Sequence, residues 1–209
     1  MDNYVTLKGK SEGFYTEKRS KFISFAYPCE SADAAAKILE AVKKEYFDAR
    51  HHVYAYVLSD GTAKFGDDGE PHGTAGKPIL DCILGSGIKN VLVVVIRYFG
   101  GILLGTGGLV KAYTYACNDA LKGAEITEYC YGTKMSLTVD YTDYKSVENV
   151  IKKHSGEILS SDFTDKVNII FTVRDLIKQE FLSDIGETFS QKLTVKEENS
   201  GYFNFPTEK

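Results

Sequence analysis

VLVVVIRYFGGILLGTGGLVKAYTYA, residues 91–116, decides the fold. Residues 91–96 are all apolar and mostly β-branched, which predicts a buried central strand. Arg97 closes that run. Gly100, Gly101, Gly105, Gly107 and Gly108 then fall within nine residues. Leu109, Ala112, Tyr113, Ala116 and Ala120 recur at helical spacing, and Gly123 supplies a stop. The order is strand, glycine-rich loop, helix. Such a loop presents backbone N–H groups at a helix N-terminus, where the dipole favours an anion. Arg97 and Lys111 stand at its two ends. The same glycines suit a strand and a helix that pack closely and turn sharply, so a cradle and a packing device both stay open.

Two phosphate motifs are excluded. Gly100 and Gly105 have the Walker spacing, but Thr106 and Gly107 follow where Lys and Ser/Thr belong. Gly105-Thr106-Gly107 begins a dinucleotide fingerprint, but Val110 replaces its third glycine.

Outward from this stretch, 209 residues suit one large domain or two small ones. No apolar run approaches the roughly 20 residues of a membrane helix. MDNYVTLKGK has no apolar core of a secretory signal. Cys29, Cys82, Cys117 and Cys130 form no CxxC pair, so neither a zinc ribbon nor a redox motif is expected, and free thiols fit a reducing cytoplasm. The net charge is −4, with 15 basic and 16 acidic residues before position 133, so neither half is a basic module by bulk charge. Phosphate binding would need a local patch or backbone amides.

Lys18, Arg19 and Lys21 surround Ser20 just before a strand at 22–27. Alone they read as a solvated strand entry. Ser31 caps a helix with Asp33 in its first turn. His51 and His52 open a strand at 53–58 and lack the company a metal site needs, so no metal and no cofactor are expected. Residues 66–78, GDDGEPHGTAGKP, form an irregular loop carrying Asp67, Asp68, Glu70, His72 and Thr74. Cation binding, acid–base chemistry with His72, ligand recognition by backbone, and a solvent-facing turn with Asp caps all fit. Pro78 should start a short helix that Gly85 ends. A last strand at 126–131 leads to a boundary at Gly132, giving domains 1–132 and 133–209. The second reads strand 135–139, helix 144–154, strands 158–160 and 167–173, helix 176–189 and strand 193–196. This is the βαββαβ order of the ferredoxin-like fold, followed by a short mobile tail. Arg174 and His154 are expected at the surface.

GDDGEPHGTAGKP followed by VVVIRYFGGILLGTGGLVKAYTYA resembles the YigZ/IMPACT family, and EKRSKF and ARHHVYAY look like its other blocks. The match covers residues 1–130, and 133–209 resemble the small C-terminal domain of its bacterial branch. The resemblance implies an α+β protein. Its N-terminal two-layer sandwich would be similar to the second domain of a small-subunit ribosomal protein, and its C-terminal domain to the fifth domain of elongation factor G. Eukaryotic members regulate translation by competing for a partner that activates a stress kinase. For bacterial members the family suggests RNA or ribosome binding, on fold analogy alone.

Two functional classes follow. One is a binding module for RNA or a ribosomal particle, using the glycine loop, Arg97, Lys111, the Lys18–Arg19–Lys21 cluster and the aromatics Tyr98 and Phe99. The other is an enzyme for a small phosphorylated or carboxylated substrate, held between the two glycine-rich loops. No complete catalytic motif is present. A protein-interaction adaptor rests on the eukaryotic analogy. The loops at Asp67–Pro78 and Arg97–Lys111 are expected on one surface; on a purely structural reading a carboxylate such as Asp67, Asp68 or Glu70 partners the buried Arg97 charge.

Overall fold

The computed structural model describes residues 3–190 and 192–205. Contacts divide the chain into two compact units, Tyr4–Ile126 and the residues from Thr127 onward together with Asn3. Among the described residues, no helix is long and apolar enough to cross a membrane.

In the first unit, strands β1 (Tyr4–Leu7), β2 (Ser11–Glu17), β3 (Ser20–Pro28), β4 (His51–Val57), β5 (Ala63–Gly66) and β6 (Val91–Tyr98) accompany helices α1 (Ala32–Glu45), α2 (Gly76–Ser86) and α3 (Gly105–Lys122). Five strands form an antiparallel sheet in the order β2-β3-β6-β4-β5. The run at 91–96 is its centre. Val91, Val93 and Val95 enter a core with α2 and α3, while Leu92, Val94 and Ile96 enter another with α1. Helices therefore cover both faces, giving three layers where the sequence reading expected two. The physical reason is in the run itself. An antiparallel strand with one wet face alternates, whereas six consecutive apolar residues bury both faces. Each such side chain contributes roughly 1.5–3 kcal/mol when fully buried.

Helix ends follow local chemistry. Ser31 Oγ accepts from the Ala34 amide at 3.1 Å and caps α1. α2 starts at Gly76 and stops at Gly87 instead of Gly85, because Gly87 takes the left-handed φ of +72°. α3 ends as expected, with the Gly123 amide donating to Asp119 O at 3.1 Å.

The second unit contains β7 (Ile126–Val139), α4 (Tyr141–Lys153), β8 (Glu157–Phe163), β9 (Val167–Arg174), a 3-10 turn (Asp175–Ile177), α5 (Lys178–Thr188) and β10 (Lys196–Phe205). The order is βαββαβ. Within the unit the strands run β10-β7-β9-β8, all antiparallel. Met135, Leu137, Ile169 and Phe171 pack on Val147 and Ile151 of α4 and Phe181 and Ile185 of α5.

Three expectations change here. The proposed boundary at Gly132 lies inside one continuous strand, six residues beyond the contact boundary. A Cβ on Gly132 would lie 2.6 Å from Val173 O and 2.8 Å from Phe205 Cζ, so this glycine serves close packing and not a linker. Strand β10 begins at Lys196, and the expected mobile tail through Phe205 is paired along β7, with Phe205 fully buried. Residues 206–209 lie outside the described residues. His154 is buried, with Nε2 2.8 Å from Asp184 Oδ2, and the Arg174 guanidinium lies 5.3 Å from the Phe205 ring centre, so neither is a bare surface group.

Candidate functional site

The site lies in the first unit, where the two glycine-rich loops meet. Strand pairing sets it. His51 of β4 and Phe22 of β3 flank Arg97 of β6, so the entrance of β4 lies beside the end of the central strand. Arg97 is 5% exposed. An isolated buried guanidinium would be costly, and the chain supplies Glu70. Arg97 Nη1 donates to Glu70 Oε1 at 2.7 Å, and the Tyr113 hydroxyl of α3 donates to the same oxygen at 2.8 Å. Burial, then the Glu70 carboxylate, push the Tyr113 hydroxyl far above the ordinary tyrosine range, so it stays a donor. Among the described residues Arg97 Nε has no hydrogen-bond partner; its guanidinium sits 5.6 Å from the ring centres of both Phe22 and Phe99.

The 66–78 loop is folded by its own carboxylates. Asp67 accepts from the amides of Gly73 (2.9 Å), Ala75 (3.2 Å) and Gly76 (2.8 Å), and so caps the start of α2. Thr74 Oγ1 donates to Pro71 O at 2.7 Å. Asp68 takes the left-handed φ of +43° and accepts from the His52 amide at 2.7 Å and from Lys43 Nζ at 2.8 Å. Both carboxylates thus fix the loop's own backbone, and Asp68 also holds Lys43. His72 is 95% exposed at its side chain, so it points away from any acid–base partner but Asp67. His51 Nδ1–H donates to the Asp68 carbonyl at 2.9 Å, since a carbonyl only accepts. The other ring nitrogen, Nε2, lies 3.9 Å from Glu70 Oε1.

Burial works against the Asp68 charge, but the Lys43 ammonium and the His52 amide outweigh it and hold the carboxyl below its ordinary range. A carboxylate depressed in the folded state stabilises above its unfolded pKa of about 4, and that contribution disappears as pH falls through the folded value. Asp68→Asn is therefore expected to cost roughly 1 kcal/mol at neutral pH and progressively less below about pH 4. Urea unfolding at several pH values checks this. A wild-type-to-variant gap that widens in acid contradicts it.

The second loop carries the remaining residues. β2 and β3 are joined by a two-residue turn, since Glu17 pairs with Ser20. Its residues, Lys18 and Arg19, have φ of +44° and +67°. Gly100 supports this turn. A Cβ there would lie 2.1 Å from the Arg19 carbonyl carbon, and its amide donates to Ser20 Oγ at 3.1 Å. Gly101 and Gly105 take left-handed φ of +83° and +72°. Gly107 and Gly108 form the first turn of α3. Leu104 occupies the N-cap position without a side-chain bond, and no acidic residue stands in that turn. Among the described residues, the first amides of α3 thus have no capping side chain.

These parts enclose a cavity of about 420 Å³ lined by Arg50, His51, Glu70, Arg97, Gly105 and Thr106, with apolar walls from Phe99, Leu103, Leu104 and Leu109. The Arg97 and Glu70 charges cancel, so Arg50 and the uncapped helix leave the cavity positive. Arg50 was missed in the sequence, although its place just before the Arg97-paired His51 marks it. Lys111 is exposed, with Nζ 5.6 Å from the Tyr115 ring centre, and does not line the cavity. Lys18, Arg19 and Lys21 are exposed beside it, where Lys21 pairs with Tyr98.

Comparison with known proteins gives the family. The family model described as the Impact N-terminal domain matches residues 18–121, and one described as a domain of unknown function matches 137–192. The "IMPACT family member YigZ" of Escherichia coli is 37% identical over 187 residues, covering 86% of this chain and 92% of that protein. A solved structure titled as a crystal structure of an hypothetical protein superposes with a TM-score of 0.62 at 32% identity, covering 95% of this chain and 98% of that one. Another, titled a two-domain translational regulator, Yih1, gives a TM-score of 0.37 at 26% identity, covering 56% and 48%. This chain belongs to the IMPACT family.

Proposed function

We propose that the first unit binds single-stranded RNA, free or in a ribosomal particle, with a phosphate at the start of α3 and a base on Phe99. The observation that carries this reading is the uncapped α3 N-terminus opening into a positive cavity beside Arg50. Lys18 and Arg19 extend the positive surface along the backbone path, and Phe99, 45% exposed, offers a stacking face. A role in translation follows as part of the proposal. The kinship of the two units with a ribosomal-protein domain and with elongation factor G belongs to it as well.

A second reading has its own observation. The cavity volume is that of a small-molecule site, and His51 and Glu70 both line it, with His51 Nε2 3.9 Å from Glu70 Oε1. This supports an enzyme for a small phosphorylated or carboxylated substrate.

Anisotropy titrations with labelled oligoribonucleotides at several salt concentrations test the first reading. Arg50→Ala is expected to weaken binding and to reduce the salt slope by about one unit in magnitude. Unchanged affinity and slope in Arg50→Ala and Arg19→Ala remove RNA as the ligand. A melting temperature that rises with a phosphorylated metabolite, and not with oligonucleotide, favours the enzyme.

A further inference from the structure

The four cysteines are not equivalent. Cys29 and Cys130 are buried singly, and burial raises both thiols. Cys82 and Cys117 face each other across the packed helices α2 and α3. Cys82 Sγ lies 3.8 Å from the Thr114 carbonyl of α3, and Cys117 Sγ lies 3.9 Å from the Ile79 carbonyl of α2. Each thiol thus reaches the carbonyl three residues before the other cysteine, which brings the two side chains to one level of the helix pair. Their exposure differs. Cys117 is fully buried, whereas Cys82 opens onto a surface groove of about 580 Å³ with Lys77, Asp81, Val110 and Thr114. This groove is separate from the cavity at the α3 N-terminus.

We propose that Cys82 and Cys117 form a peroxide-reactive dithiol, with Cys82 the attacking sulfur in the groove and Cys117 the resolving one. The Cys82 thiolate attacks one oxygen of a hydroperoxide, the O–O bond breaks, and Cys82 sulfenic acid forms with release of hydroxide or alkoxide. Cys117 then attacks the sulfenic sulfur and the S–O bond breaks. Its thiol proton ends on the departing hydroxide as water. The balance is two thiols and one hydroperoxide giving one disulfide, water and a second water or alcohol.

The electrostatics match this division of labour. Donation from the Cys117 thiol, against burial and the neighbouring Asp81 carboxylate, lowers the Cys82 thiol to about 7. Cys117 is held well above the ordinary range by that same contact and by burial, so it keeps its proton. The lowered thiol puts more of Cys82 in the nucleophilic thiolate form than an ordinary cysteine has. The disulfide ties the helix that Asp67 caps to the helix whose first turn opens on the cavity.

The test is peroxide treatment of the full chain, followed by intact mass and tryptic mapping without reduction. The wild-type protein is expected to lose two hydrogens and to yield the Cys82 peptide joined to the Cys117 peptide. Before oxidation, iodoacetamide should label Cys82 faster than the buried Cys29 or Cys130, because Cys82 alone of these opens onto the groove. Cys117→Ser should stop at Cys82 sulfenic acid, trapped by dimedone. Cys82→Ser should leave Cys117 reduced. The wild-type mapping needs no variant to fold. Absence of the joined peptide from oxidised wild type overturns the assignment, and so does oxidation of Cys117 at the wild-type rate in Cys82→Ser.

Discussion

Glu70→Ala is expected to destabilise the N-terminal unit by about 3–5 kcal/mol, the loss that follows when one partner of a buried ion pair is removed. The variant strands the Arg97 guanidinium at 5% exposure with an already unpartnered Nε, and it leaves the Tyr113 hydroxyl without its acceptor. Arg97→Ala does the converse damage by leaving Glu70 charged and buried. The loss measures an orphaned charge, and the net value of the pair is smaller. Glu70→Met combined with Arg97→Leu should therefore recover most of the stability, because an apolar pair of similar volume has no desolvation cost. Tyr113→Phe removes one hydrogen bond and should cost about 1 kcal/mol. The chain has no tryptophan, so far-UV circular dichroism in urea is the practical readout. An unchanged m-value shows that the midpoint shift reflects stability. If Glu70→Ala unfolds within about 1 kcal/mol of wild type, Arg97 is not held as a buried charge.

This cluster also shows how far sequence reading reaches. The central strand, the glycine loop and α3 were legible because six apolar residues and a helical repeat are local signals. The irregular loop at 66–78 was legible from composition. Which of its three carboxylates meets Arg97 was not. That choice depends on His51 pairing with Arg97 across β4 and β6 and on Asp67 and Asp68 being occupied by backbone amides. Both are consequences of tertiary register. Strand β2, SEGFYTE, is an edge strand with three of its seven residues exposed, so no apolar run marks it; β5 has only four residues. Gly132 misled as a boundary because close packing against Phe205 and a flexible joint demand the same residue type.

Gly100→Ala should cost about 3 kcal/mol or more, at the upper end of overpacking losses. Its Cβ would meet the Arg19 carbonyl carbon at 2.1 Å, Arg19 O at 2.4 Å and the Ser20 amide nitrogen at 2.4 Å. All three are backbone atoms, so no side-chain rotamer relieves the contact, and the hairpin must leave the loop. Gly107→Ala is the matched control. It has nothing within 4 Å of its Cβ and sits in the first turn of α3, so it should gain about 0.5–1 kcal/mol in helix propensity. The supported turn has a cost of its own. Lys18 and Arg19 both hold positive φ, which strains side-chain-bearing residues by roughly 1–2 kcal/mol each. Asn-Gly is the favoured pair for such a turn. Lys18→Asn with Arg19→Gly should therefore raise stability, while on the RNA-binding reading it lowers affinity and reduces the salt slope by about two units in magnitude. The melting curve and the salt titration move in opposite directions for this variant and together downward for Gly100→Ala. Stabilisation with unaltered RNA binding would mean that the strained cations serve something other than RNA.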